Sequence, residues 1–467
     1  MNPLHLLIDG QLVAGDLDMD VINPATEALL CKSPRASKRQ LDAAIAAAKK
    51  AFPGWRATPM ASRAALLEQV AQRLEANVDE LARLLTQEQG KPLADARGEV
   101  LGSAMYFRHF SKAELPVQVI EHSATRHVEA HRVALGVVAA IVPWNFPLIL
   151  MAFKLPAALV AGNTVLLKPA ATTPLTTLRF GELVADLFPP GVLNIITDAN
   201  DLGAAITAHP DVRKVSFTGS TETGKRVMAG AADTLKRLTL ELGGNDAAIV
   251  LDDVDVKAVA GRVFKAGFAN SGQVCIAIKR LYVQDGVYDA VCDELARLAN
   301  EVVVGDGLAP DTQYGPLQNK AQYEKVKGFI EDARHSGNII AGGSTQAGPG
   351  YFIRPTVVRD IAEGSRLVDE EQFGPILPVI RFTDPDDAVA RANNSPYGLG
   401  SSIWSSNPQR AYRLAEMMDA GTVWVNKHRE LAPGIPFGGC KFSGMGTELG
   451  ERGLEEFTQL KVINIAA

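Results

Sequence analysis

Between Val133 and Gly244 short apolar runs alternate with helix-forming stretches, and this alternation restricts the fold more than any other feature of the sequence. The runs VALGVVAAIVP (133–143), NTVLLKP (163–169), VLNIIT (192–197), VRKVSFTG (212–219) and LKRLTLELGG (235–244) read as strands. Helices are expected near 174–187, 201–208 and 221–231. Strand, helix, strand at this spacing builds βαβ units and an open parallel sheet, and the first run is apolar on both faces, as a central parallel strand is. A second set follows: AAIVLDD (247–253), a helix over 254–270, KRLYVQ (279–284), helices over 286–303 and 318–336, NIIAGG (338–343), PTVVRDI (355–361), LPVIRF (377–382) and a helix over 384–393. The expected fold class is therefore α/β, with two open-sheet domains. The first hundred residues are expected to be mainly helical, with Ser37 capping 37–50 and leucines striping 61–89. Residues 117–131 read as a hairpin, and the tail EEFTQLKVINI (455–465) as a strand without a sheet of its own.

Composition narrows the function. Lys and Arg number 47 against 53 Asp and Glu, giving a net charge of −6, and there is no block of five or more basic residues. Nucleic acid is thereby excluded as a main partner, and a small ligand is favoured. Cys31, Cys275, Cys292 and Cys440 are scattered, with neither disulfide-framework nor zinc spacing, which fits a reducing cytoplasm. The N-terminus lacks the pattern of a secretory signal. The most apolar stretch, Val133–Gly162, is broken by Pro143, Asn145, Pro147, Lys154 and Pro156, so it reads as buried core and not as a membrane span.

Several residues stand where chemistry is possible. Cys275, in NSGQVCIAI, lies between an expected helix and a strand, where a loop can present a thiol nucleophile. Glu241 ends a strand in LELGG, and Asn145 follows another in PWNFP; strand ends are where open α/β sheets place ligands. A carboxylate there can act as general base on water, and an amide beside a nucleophile can hold an oxyanion. Singly, each has a plainer reading: a buried thiol, a helix-cap Glu, a turn Asn. FTGSTETGKR (217–226) has the Gly-x4-Gly-Lys of a P-loop, but Arg226 replaces the magnesium-binding hydroxyl. What survives is a strand running into a helix start, which offers the Gly219 and Ser220 amides to a phosphate-bearing cofactor. No GxGxxG fingerprint follows a strand. His127, Glu129 and His131 share a strand face, yet nothing nearby completes a ligand set, and no metal is expected.

Taken together, PWNFP (143–147), LLKP (166–169), FTGST (217–221), LELGGN (240–245), GQVC (272–275), EEQFGP (370–375), GTVWVN (421–426) and PFGGCKFSGMGTELG (436–450) resemble, in order and spacing, the aldehyde dehydrogenase superfamily over essentially the whole chain. The resemblance implies that Cys275 attacks the aldehyde carbonyl, that Asn145 and the Cys275 amide hold the oxyanion, and that Glu241 activates water to hydrolyse the thioester. It also implies that Lys154 and Glu448 relay protons. Lys168 corresponds to the lysine at the adenosine ribose, Gly219 and Ser220 to the pyrophosphate-facing pair, Trp144 to a residue along the cleft, and Glu371 with Phe373 to the pair flanking the nicotinamide ribose. Many NAD-preferring members carry Glu three residues after that lysine. Here Ala171 stands there, so both NAD and NADP are expected, with NAD favoured. The substrate pocket corresponds to Leu150, Phe153, Ile276, Ile435 and Phe437, a set suited to an uncharged aliphatic or aromatic aldehyde. The alternative is a carboxylate-bearing semialdehyde, suggested by Lys427, His428 and Arg429, although Phe153 stands where small-acid enzymes carry Arg. Glu241 argues against a CoA-acylating relative, and intact Cys275, Asn145, Glu241 and Glu371 against a catalytically retired scaffold. The expected domains are 1–114 with 132–243 for an atypical Rossmann-type cofactor domain, 244–442 for the catalytic thiol domain, and 115–131 with 443–467 for a small β bridging element that adds to a neighbouring subunit's sheet. A homodimer or homotetramer is expected.

Overall fold

Local signals set the element boundaries in the computed structural model, which describes residues 3–466. Ser37 closes a capping box with Gln40 at the start of the helix Lys38–Ala57, satisfying two amides that the helix itself leaves unpaired. The leucine stripe read over 61–89 is two helices, Met60–Ala76 and Val78–Gln89, joined at Asn77, whose φ of −116° and ψ of 22° are not helical. Leu67, Leu74, Leu81 and Leu85 on that stripe are fully buried.

The first hundred residues are mainly helical, as expected, but only from Lys38 onward. Two hairpins precede the first helix: Leu6–Ile8 with Gln11–Val13, and Leu17–Ile22 with Leu29–Arg35. The first turns on Asp9 and Gly10, at φ 51° and 76°, the Asp-Gly pair that suits a tight hairpin turn.

Five parallel strands form the centre of an eight-stranded sheet, in the order Leu193–Ile195, Thr164–Lys168, Val137–Ile141, Val212–Thr218 and Arg237–Glu241. The chain enters at Val137–Ile141, winds outward to one side, then crosses over to Val212–Thr218 on the other. The strand order therefore reverses between these two, and the loops that follow them flank the crevice where such sheets bind ligands. Trp144 and Asn145 follow the first strand; Gly219 and Ser220 follow the second. The helix Pro147–Val160, apolar at every position but Lys154 and buried at every position but Ile149, packs beneath. No helix among the described residues is long and apolar enough to cross a membrane.

A seven-stranded sheet runs Asn338–Ala341, Thr356–Arg359, Ile376–Phe382, Ile278–Gln284, Asp246–Val250, Gly400–Trp404, Thr422–Val425, parallel except for its first pair. Its strands all fall within 244–442. The tail departs from expectation in two ways. Gly444–Met445 pairs antiparallel with Arg237–Glu241 at the edge of the first sheet, so 443–467 is not a single element. Thr458–Ala466 pairs within its own chain, from Thr458 opposite Ala134 to Ala466 opposite Arg126, making a three-stranded sheet with Gln118–His122 on the far side.

Candidate active site

The two sheets bring together residues from opposite kinds of strand end. Glu241 ends a strand of the first sheet, whereas Cys275 precedes Ile278–Gln284 of the second. The thiol loop is built on unusual backbone: Asn270 and Ser271 have φ of 49° and 55°, and Gly272 has φ of 73°. A Cβ on Gly272 would stand 2.1 Å from the Gly374 carbonyl, so only glycine fits there.

This loop is tied to the Asn145 loop in both directions. Asn145 Nδ2 donates to the Gln273 carbonyl at 3.0 Å, and Asn270 Nδ2 donates to the Asn145 carbonyl at 3.1 Å. Lys91 Nζ donates to the same carbonyl at 3.0 Å and pairs with buried Glu99. Glu99 in turn accepts the Leu148 and Ile149 amides at 2.9 and 3.3 Å, anchoring the first turn of the helix Pro147–Val160. An Asn amide has two N–H bonds, so Asn145 is held by one while the other remains for an oxyanion.

Glu241 is 3% exposed, and neither of its carboxylate oxygens has a hydrogen-bond partner. Glu448 pairs with buried Lys154 through Oε1, which Ser216 Oγ also meets at 3.2 Å, while Oε2 is unpartnered. Burial raises the Glu241 carboxyl well above the usual range; nearby Glu448 adds to this, and Lys154 opposes it. Burial likewise pushes the Cys275 thiol up to about 12, with Lys279 pulling down and Asp246, Glu241 and Glu371 adding to the rise. Lys279 drew no notice in the sequence. It lies buried under the thiol loop, donating to the Val274 and Cys275 carbonyls at 2.9 and 2.5 Å.

A cavity of about 900 Å³ opens onto Cys275, Asn145, Glu241 and Glu448. Of the expected pocket residues, Leu150, Phe153, Ile276 and Phe437 line it. Ile435 does not: it is 54% exposed. A turn closed by the Ile435 amide on the Ala432 carbonyl faces it outward, while a two-way backbone pairing of Phe437 with Glu448 holds Phe437 inward. Tyr106, Phe146, Phe264 and Tyr314 complete an apolar wall, and Arg429 and Asp95 add charge to it.

The cofactor candidates surround the switch point. Ser220 caps the helix Thr221–Ala231, its hydroxyl accepting the Thr223 amide. The Gly219 amide is not free for phosphate, because it donates to the Glu241 carbonyl at 3.0 Å and continues the strand pairing by one residue. The donors toward a phosphate are thus those of the helix's first turn. Trp144 meets Phe373 edge to face at 5.5 Å. Glu371 Oε1 accepts the Gly244 amide at 3.0 Å and lies 3.3 Å from Lys279 Nζ. Lys168 Nζ is ion-paired at 2.6 Å with Asp198, a buried carboxylate that the sequence reading passed over. A helix N-terminus at a switch point, an aromatic pair and a carboxylate poised on a backbone amide are a donor set that fits a dinucleotide. The His127–Glu129–His131 trio stands apart on the three-stranded sheet, each histidine Nε2 at 2.9 Å from the carboxylate.

A half-buried thiol, an amide donor and an unpartnered carboxylate on one apolar cavity, beside a dinucleotide-type crevice, are an arrangement suited to an oxidoreductase. The sequence profile described as the aldehyde dehydrogenase family matches residues 13–463, and the chain belongs to that family. It is 42% identical over 465 residues to a probable aldehyde dehydrogenase of a Pseudomonas species, covering 99% of this chain and 95% of the relative. The structure of an aldehyde dehydrogenase from Bacillus cereus with NAD+ superposes with a TM-score of 0.97 at 36% identity, covering 100% of this chain and 97% of that one. An Escherichia coli structure described as an NADP-dependent enzyme gives 0.97 at 36% identity, covering 100% and 98%.

Proposed function

We propose that this enzyme oxidises an apolar aliphatic or aromatic aldehyde to its carboxylic acid, with NAD favoured over NADP, through a thioester on Cys275. The carrying observation is that Cys275, Asn145 and the unpartnered Glu241 all face one apolar cavity. Cys275 Sγ adds to the aldehyde carbon, and the oxygen takes up negative charge within reach of the free Asn145 N–H and the Cys275 amide. Lys279, paired with Glu371 and bonded to the carbonyls on either side of the thiol loop's tip, fixes that loop and favours the thiolate. When bound, the nicotinamide supplies the hydride acceptor, and the residues placed to hold the dinucleotide are Lys168, Ser220, Trp144, Glu371 and Phe373. Loss of the C–H electron pair leaves a thioester on Sγ. Glu241 then takes a proton from water as the water attacks the thioester carbon, the C–S bond breaks, and the acid departs. Glu448 and Lys154, buried beside Glu241, pass that proton onward.

Phe153 in the wall favours a body without charge near the reacting carbon. The test is an aldehyde panel of benzaldehyde, hexanal and succinic semialdehyde, run with both cofactors on the native enzyme and on Cys275→Ala. Oxidation of the first two by the native enzyme, abolished in the variant, is expected. Best turnover on succinic semialdehyde would refute the apolar pocket, and residual oxidation by Cys275→Ala would refute the covalent route.

A further inference from the structure

Among the residues lining the catalytic cavity, one carries a permanent positive charge that the chemistry above does not use. Arg429 follows the strand Thr422–Val425 and is set by left-handed backbone at φ 66°. Its one hydrogen bond to protein among the described residues is long, from Nη1 to the Lys265 carbonyl at 3.3 Å. No carboxylate lies within 4.0 Å of its guanidinium among the described ion pairs. Asp95, on the helix Leu93–Phe110, lines the same cavity and lowers the cost of the charge from a distance; Tyr314 stands nearby. Of the two cavity-lining lysines, Lys91 is already paired with Glu99, and Lys265, on the helix Val256–Phe268, is solvent-exposed, so its charge is not desolvated as a buried cation's is. The neighbours Lys427 and His428 are both occupied as well, Lys427 by Glu430 at 3.0 Å and His428 by the Ile276 carbonyl at 3.0 Å.

Five donors on a planar fork, half-buried, facing a cavity and lacking a close anion, are suited to a planar two-oxygen anion. Resting on the reading just given, we propose that Arg429 is a specificity residue that receives a carboxylate carried at the far end of an otherwise apolar aldehyde. The aldehyde carbon lies at Cys275, the apolar body runs along Phe153, Phe264 and Phe437, and the carboxylate docks on Arg429. Asp95 sharpens the selection, because it repels a second negative charge on the substrate.

The test uses 4-formylbenzoate and 6-oxohexanoate, each against its methyl ester, with the native enzyme, Arg429→Met and Arg429→Lys. For at least one pair, Arg429→Met is expected to lower the acid-to-ester ratio of kcat/KM by about ten- to hundredfold, the range for losing a charged hydrogen bond, mainly through KM. Arg429→Lys is expected to recover part of it and serves also if the methionine variant folds poorly. Acid-to-ester ratios unmoved by either substitution, or a native enzyme that prefers both esters, would overturn the assignment. The native enzyme's turnover of the esters reports separately on aldehyde oxidation: no oxidation of any of the four would bring down the underlying function as well.

Discussion

At the scale of single residues, Glu241 is the most exposed to test. It is buried without a partner, and its carboxyl is held protonated to higher pH than an ordinary glutamate by burial and by Glu448. A general base must be ionised, so deacylation should keep rising with pH well above the range where a solvated glutamate has already levelled off; the raised Cys275 thiol acts in the same direction. Glu241→Gln should give a burst of about one reduced cofactor per site, then steady turnover slower by about 10²–10⁴-fold; stopped-flow absorbance at 340 nm reads both, and an unchanged steady state would assign the base elsewhere. Asp198 carries a second expectation. Its carboxylate neutralises Lys168, so that lysine is not a spare cation to welcome a 2′-phosphate even though Ala171 removes one repulsive carboxylate. Asp198→Asn should therefore raise the NADP-to-NAD ratio of kcat/KM about tenfold, and a constant ratio would contradict it. The contrast between the residues explains what the sequence disclosed. Cys275, Asn145 and Glu241 lie in local motifs, whereas Asp198 and Lys279 gain meaning only from partners on distant segments, and Arg429, one of three basic candidates in the sequence, is singled out only by the cavity it lines.

Among elements, the clearest coupling runs through Glu88. It sits near the end of the helix Val78–Gln89 and accepts the Leu175 and Thr176 amides at 2.7 and 2.9 Å, together with the Thr176 hydroxyl, so that it caps the helix Leu175–Val184 from another part of the chain. Burial, only partly offset by the Thr176 and Leu175 bonds, pushes its carboxyl up to about 7. The folded state thus holds the proton more tightly than the unfolded one, whose carboxyl titrates about 4.3. The stabilisation this brings is complete below that lower value and is lost as pH rises through about 7. A glutamine cannot titrate, so the stability gap between native enzyme and Glu88→Gln should shrink between pH 5 and pH 8 by about 2 kcal/mol. Urea unfolding at the two pH values measures it, and a constant gap would refute it. The parallel strands and the Ser37-capped helix were legible because apolar period and caps are local. The N-terminal hairpins were not: acidic residues in LDMDVI mask the strand pattern, and the Asp9-Gly10 turn signal is only two residues long. The split at Asn77 was hidden because the leucine stripe continues across it.

At the scale of the whole molecule, the three-stranded sheet is the part that a lone chain leaves unfinished. Thr458–Ala466 is its edge strand, with Arg126–Ala134 on one side and no strand on the other among the described residues. Leu460 and Val462 on that strand are 51% and 54% exposed, and Val119 and Ile120 on the opposite edge are exposed too. An open edge beside apolar side chains is a surface that proteins ordinarily pair or cover. The family resemblance implied that the tail adds to a neighbour's sheet. Its pairing within its own chain changes the geometry of that idea: the assembled sheet itself, and not a loose strand, would meet the second copy. Leu460→Lys with Val462→Lys tests this, because both side chains already stand in solvent in one chain, so two lysines cost the isolated fold little. The native enzyme should elute as a dimer or tetramer at micromolar concentration by light scattering, and the double variant should shift toward smaller species with its thermal unfolding nearly unchanged. A native monomer, or a double variant that assembles as fully as the native chain, would remove the three-stranded sheet from the interface.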